Sequence, residues 1–204
     1  LETVGFYRYT APAYGLTATR MITSGWSDAG VVIPWTLYRQ TGDAYYIEEY
    51  YDNMCTYMQA VKDKGYSQML FGDWLSFYAT SLPCINQIYR LYTLQLMSEM
   101  AAVIGETEDA AQFDADFAVE RTAFIQKYVD ANGNLLTATA DNVQDRLTRH
   151  GYPYVDNAQC GLLWALKLGL YDTQDQKEAM VRNLILSIAN ENQEIRPDSG
   201  ENTL

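Results

Sequence analysis

Polar and apolar positions along the chain fall into three similar blocks. In each, an apolar segment closes on a glycine and is followed at once by an acidic, one-sided segment. The glycines are Gly42, Gly105 and Gly169, spaced 63 and then 64 residues apart. A period of this size marks a repeated supersecondary unit. The blocks share few identical residues, so it is the pattern that repeats. The first segment of each block predicts a helix, over about 28–41, 83–104 and 157–168. The stretch from Cys160 to Leu168 is apolar on nearly every face, as in a helix buried all round. A glycine in the left-handed conformation is the usual way to close such a helix.

The second segment of each block predicts a helix with one apolar stripe, over about 44–63, 108–129 and 173–191. The stripes are Ile47, Tyr50, Met54, Tyr57, Met58 and Val61; then Phe113, Phe117, Phe124 and Tyr128; then Val181, Leu184 and Ile188. Steps of three and four place each set on one helix face. Asp43, Thr107 and either Asp172 or Thr173 suit N-caps, and Thr173 with Gln176 fits a capping box. The links are short, so each inner helix and its outer partner form an antiparallel hairpin.

The returns from outer to inner helix are long, about 64–82 and 130–156. They must gather with segment 1–27 at one end of the stack, where loops on a rigid scaffold usually carry function. The expected fold class is all-α: an α/α toroid arc of three helical hairpins, about half of an (α/α)6 barrel. Residues 1–204 then form a single partial domain, whose open sides expose apolar surface until further hairpins or neighbouring chains cover them. Pro34 falls inside the first inner helix. Either it kinks that helix by freeing the Gly30 carbonyl, or the helix begins near Ile33.

Composition narrows the function. With 48% hydrophobic residues the chain is ordinary for a globular domain. It contains no apolar run of 18 residues that would span a bilayer. Its first residues, Leu1-Glu2-Thr3-Val4-Gly5, do not read as a signal peptide. Both ends read as cut edges, so any targeting signal is expected outside this stretch. The net charge of −12 disfavours nucleic acid and anionic lipid and favours a neutral or cationic ligand, though an acidic surface kept for solubility is the simpler reading of it. Cys55, Cys84 and Cys160 sit far apart in apolar patterns and read as buried free thiols. One histidine and no paired cysteines leave no protein-ligated zinc site, and no cofactor is expected.

The loops that feed the inner helices place Trp beside carboxylate. They hold Ser24-Gly25-Trp26-Ser27-Asp28-Ala29, then Phe71-Gly72-Asp73-Trp74-Leu75, then Arg146, Arg149, His150, Tyr152, Tyr154 and Asp156. A sugar fits this chemistry: its C–H-rich face lies on an indole and its hydroxyls donate to carboxylates. Simpler roles compete. Asp28 suits an N-cap, Asp73 a turn cap, and Asp156 an N-cap boxed with Gln159. Trp74 could plug the core, and His150 could be a plain loop hydrogen bonder. Trp35 and Trp164 read as core residues.

The run Gly25-Trp26-Ser27-Asp28-Ala29-Gly30-Val31-Val32-Ile33-Pro34-Trp35-Thr36-Leu37-Tyr38, with Thr41-Gly42-Asp43 after it, resembles the family 78 glycoside hydrolases, the α-L-rhamnosidases. Tyr50 to Met58, the Phe71–Leu75 loop and the helix ending Glu99-Met100-Ala101-Ala102-Val103-Ile104-Gly105 extend the likeness over roughly 12–190. The resemblance implies an (α/α)6 barrel that releases terminal L-rhamnose with inversion, in bacteria at a periplasmic or extracellular location. It implies a rhamnose-containing glycan or glycoside as ligand. Trp26 and Trp74 would be sugar walls, Asp28 and Asp73 would orient hydroxyls or neighbouring side chains, and His150 and Tyr152 would line the rim. An auxiliary acid–base role for Asp28 or Asp73 is a further expectation. The family's general acid lies in an Asp- and Arg-rich stretch before a first Gly-Trp motif, and its base near a Thr-x-Trp-Glu pattern. This chain contains neither, so it is expected to bind sugar without the principal catalytic carboxylates. Two other readings fit the same pattern: another (α/α)6 carbohydrate enzyme, or a helical-repeat binding scaffold without chemistry.

Overall fold

A computed structural model describes residues 22–68, 72–73, 76–148 and 151–194, with side chains through Ala189. Seven helices occur among them: α1 (Ala29–Thr41), α2 (Tyr45–Lys64), α3 (Leu82–Ile104), α4 (Thr107–Tyr128), the four-residue α5 (Thr137–Ala140), α6 (Gln159–Leu168) and α7 (Gln174–Glu194). The long ones are the six expected from the repeat, with ends within about three residues of the expected ones. Gly42, Gly105 and Gly169 all take positive φ and end α1, α3 and α6. After them Asp43 accepts the Tyr45 N–H at 2.9 Å. Gln176 N–H donates to the Thr173 hydroxyl and the Thr173 N–H to the Gln176 side chain, both at 3.2 Å, which closes the capping box. α1 runs unbroken through Pro34, so the start near Ile33 is not adopted. No described helix is long and apolar enough to cross a membrane.

The chain divides into two compact units, one within 1–70 and 86–121, the other within 71–85 and 122–204. The core of the first is built from Val31 of α1, Ile47, Met54, Tyr57 and Met58 of α2, and Leu94, Met97 and Met100 of α3. Trp35, Tyr38, Phe113 and Phe117 pack on it half-buried. Tyr51 belongs to this core, and the expected Tyr50 does not: it is 43% exposed. The two positions differ by only one step around the helix. Tyr51 is selected because its hydroxyl donates to Asp109 of α4 at 3.0 Å.

In the second unit Phe124, Tyr128, Leu135, Leu162, Ala165 and Met180 are buried. Short bridges Ala79–Tyr154, Val129–Leu135 and Leu147–Pro153 tie its loops together. The stripe expected on α7 is not its packed face. Val181 and Ile188 are exposed, as are Ile185 and Leu186, while Ala179 and Met180 are buried. Ala179 is small enough for α7 to close on the turn at Gly133, and that contact sets the face. Nor are α1 and α6 buried all round, since Ile33 and Leu163 are each more than half exposed. Asp156 does not cap α6: its carboxylate accepts the Ala138 and Thr139 N–H groups and the Thr139 hydroxyl, capping α5 instead. Cys84 is buried and Cys55 and Cys160 half-buried, all three as free thiols.

Candidate functional site

In the first unit the chain enters α1 through a tight turn. Ser27 N–H donates to the Thr23 carbonyl at 2.8 Å, and the Thr23 N–H returns to the Ser27 hydroxyl at 3.0 Å. Asp28 holds the N-cap position, yet its side chain does not cap the helix. One carboxylate oxygen turns back to the Gly25 N–H at 2.7 Å. The other accepts the Tyr57 hydroxyl at 2.9 Å and the Tyr66 hydroxyl at 2.6 Å. Asp28 is 1% exposed. Burial pushes its pKa up to about 6; the three hydrogen bonds and the Arg90 charge oppose that rise without cancelling it. Burial, and after it the same carboxylate, raises the phenols of Tyr57 and Tyr66 well above the usual range.

Further ties hold the turn. Ser24 hydroxyl donates to Asn86 of α3 at 2.7 Å, and Asn86 donates to the Ser67 carbonyl at 3.3 Å. At Gly25 an added Cβ would stand 3.0 Å from the Tyr89 ring. Trp26 is thus carried at the tip of a turn whose backbone is fastened to α2, to residues 66–67 and to α3. It is 37% exposed. A partly exposed indole on a fixed backbone can stack on an apolar ring face.

In the second unit Asp73 accepts the Thr80 N–H at 2.8 Å, and the Thr80 hydroxyl and Cys160 thiol also bond to it. Burial raises its pKa, against those hydrogen bonds. Asp73 is therefore tied to Thr80 at the end of the loop 76–80, which joins the 153–155 segment through Ala79 N–H to the Pro153 carbonyl at 2.8 Å. Tyr152 meets the Phe77 ring edge-on, with centroids 6.4 Å apart. Beside this loop Ser76, Phe77, Tyr78, Gln159, Cys160, Leu163 and Trp164 line an open pocket of about 360 Å³. Trp164, expected in the core, stands on that pocket. It was missed because an apolar helix flank does not distinguish a wall from a core. Phe77, Tyr78 and Gln159 carried no motif at all. Of the expected site residues, Trp26 and Asp28 share one turn in the first unit, while Asp73 and Tyr152 belong to the second. Trp74 and His150 lie outside the described residues.

The thiols give a direct check on these surroundings. Burial, with Asp73 beside it, raises Cys160 to about 12, and burial raises Cys55 to about 11. Alkylation of both by iodoacetamide at pH 7.5 is expected to run at least about a hundred-fold slower than for a free thiol, because the thiolate is the nucleophile. Modification of either at the free-thiol rate, followed by mass spectrometry, would contradict the described packing. Among the described residues no group of three or more His, Cys, Asp or Glu side chains is placed to hold a metal ion.

The family model described as bacterial alpha-L-rhamnosidase 6 hairpin glycosidase domain matches residues 2–199. An alpha-L-rhamnosidase of Alteromonas sp. (strain LOR) is 28% identical over 129 residues, which is 56% of this chain and 14% of that protein. One from Formosa agariphila is 31% identical over 131 residues, 58% of this chain and 14% of that protein. The chain thus spans about a seventh of the length of these relatives. The solved alpha-L-rhamnosidase of Aspergillus terreus shares the fold with a TM-score of 0.67 at 21% identity, covering 91% of this chain and 21% of its own. That of Dictyoglumus thermophilum gives 0.66 at 19% identity, with 85% and 19% covered. The all-α hairpin architecture is therefore the one these enzymes use. By the match across nearly its whole length, the chain belongs to the bacterial α-L-rhamnosidase six-hairpin glycosidase domain family.

Proposed function

We propose that this chain is the sugar-binding part of a longer, inverting α-L-rhamnosidase that releases terminal α-L-rhamnose from rhamnosides. The observation that carries the reading is the six-hairpin domain match over residues 2–199, in a chain whose Trp26 sits half-open on a fixed turn. The coverage of only 14% of related proteins supports the partial-domain reading. So does the apolar surface left open on α7 by Val181, Ile185, Leu186 and Ile188. Further hairpins of the same barrel would cover such a face.

Trp26 is read as an apolar wall for a sugar ring, and Trp74 is assigned the same chemistry in its own unit. Asp73, His150 and Tyr152 are read as further residues for the sugar hydroxyls. The Phe77, Tyr78 and Trp164 faces of the second unit offer a further surface of the same chemistry, with the Gln159 amide for a hydroxyl. Inversion requires an acid and a base carboxyl about 6.5–9.5 Å apart, so that a water fits between base and sugar. In this reading both are supplied by the rest of the barrel, and Asp28, turned inward, serves the turn rather than the bond.

The test is an assay of the intact parent protein on an aryl α-L-rhamnoside with proton NMR of the first sugar formed. Release of L-rhamnose as the β anomer is expected. No release of rhamnose, with turnover of another aryl glycoside, would remove the substrate assignment and leave the fold. First appearance of the α anomer would remove inversion.

A further inference from the structure

We propose that Tyr57 and Tyr66 are positioning residues for Trp26, acting through Asp28. The inference rests on the reading of Trp26 as a sugar wall and deepens it. An aromatic wall is useful only if its ring is held in place before the ligand arrives, since ordering it on binding costs affinity. Trp26 lies in a turn, outside any helix. Among the ties that hold that turn, one carboxylate spans the indole itself. Asp28 reaches back across Trp26 to the Gly25 N–H, so the two ends of the short arc around the indole are joined at 2.7 Å. The carboxylate is itself located by two phenols from distant parts of the sequence: Tyr57 from the middle of α2 and Tyr66 from just beyond its end. Tyr66 also hydrogen-bonds to Thr93 of α3. The place of the indole is thus referred to the core of the unit as well as to its own loop. The groups facing Asp28 are these two phenols, the Gly25 N–H and the Arg90 charge. Arg90 is in turn held by Glu120 at 3.2 Å and by the Met58 carbonyl at 3.3 Å.

Phenylalanine at either tyrosine keeps the ring in the core and removes only the hydroxyl. The intact parent protein is used, with Tyr57→Phe, Tyr66→Phe and Trp26→Ala, and with Tyr51→Phe as a control, because its hydroxyl meets Asp109 and not Asp28. The expected result is a rise in KM of about five-fold for each of Tyr57→Phe and Tyr66→Phe, with kcat within about two-fold. Trp26→Ala should raise KM at least as far, and adding Tyr66→Phe to it should change KM little further, since the two then act on one contact. The second readout needs no substrate. With 5-fluorotryptophan in the protein, the Trp26 fluorine resonance, assigned by its loss in Trp26→Phe, should shift or broaden in both phenol variants and stay in place in Tyr51→Phe. An unmoved resonance in both phenol variants, or an equal change in the control, overturns the proposal. So do additive KM effects of Trp26→Ala and Tyr66→Phe. If Trp26→Ala leaves KM unchanged, the sugar-wall reading fails, and the resonance alone then decides whether the phenols position Trp26.

Discussion

Asp28→Ala is expected to lower the stability of the protein by about 3 kcal/mol at pH 5, because it withdraws the acceptor from two buried phenols and a backbone N–H. The loss is held to that size because Tyr57, Tyr66 and Thr93 retain hydrogen bonds among themselves. The effect should also depend on pH. Burial raises the Asp28 pKa in the folded state from 3.8 to about 6, so the native protein holds this proton more tightly than the unfolded chain does. The contribution of a raised carboxyl is fully present below its unfolded pKa and fades as the pH passes its folded one. The cost of Asp28→Ala should therefore be smaller by about 1 kcal/mol at pH 8 than at pH 5. Urea midpoints of both proteins at the two pH values measure this. A cost that grows with pH would mean that Arg90 and the hydrogen bonds outweigh burial.

Gly133→Ala is the second large effect, expected to cost about 3 kcal/mol through strain and overpacking together. Gly133 has φ +77°, and a Cβ there would lie 2.7 Å from the Gln176 carbonyl oxygen and 2.8 Å from the Gln176 Cα and the Ala179 Cβ. Two of these are backbone atoms of α7, so no side chain can swing aside. The turn cannot easily yield either. Asp130 accepts the Asn132 and Asn134 N–H groups at 2.9 and 2.8 Å, and the Gln176 amide donates to its carbonyl at 3.1 Å. Gly105→Ala is the matched comparison, with positive φ and open space around the added methyl, and should cost about 1 kcal/mol. Thermal melts of the two variants separate crowding from conformation. Equal losses would mean that α7 is not pressed on this turn.

The hairpins were readable from the sequence because their signals are local. An apolar run, a glycine and an acidic cap within a few positions mark each turn, and Gly42, Asp43 and the Thr173–Gln176 box behave accordingly. What stayed hidden depends on partners far along the chain. The choice of Tyr51 over Tyr50 is made by Asp109, 58 positions away. The use of Asp156 on α5 instead of α6 is made by Thr139, 17 positions before it. The packed side of α7 follows from a missing side chain at Gly133, which no stripe of large residues can announce. The candidate site divides along the same line. Trp26 stood out as an indole between Gly25 and Ser27 in a loop, but the inward turn of Asp28 depends on Tyr57 and Tyr66, 29 and 38 positions on. The pocket walls Phe77 and Tyr78 belong to no pattern and Trp164 to an apolar run that reads as core, since the three become neighbours only after folding.

The glycine-closed links also bear on the order of events as the chain is made. Contacts between neighbours in sequence form early, because little chain entropy is spent in closing them. The pairs α1–α2 and α6–α7 meet that condition, with their helices joined by three to five residues. Asp141 is different. It gathers the Ser81 hydroxyl from 60 positions earlier, together with Lys127 Nζ at 2.6 Å and the Tyr128 hydroxyl at 3.1 Å. Ser24 likewise waits 62 positions for Asn86. On a ribosome, the first hairpin and the Asp28 contacts of its Trp-bearing turn can close early, and only the Ser24–Asn86 tie must wait until α3 has emerged.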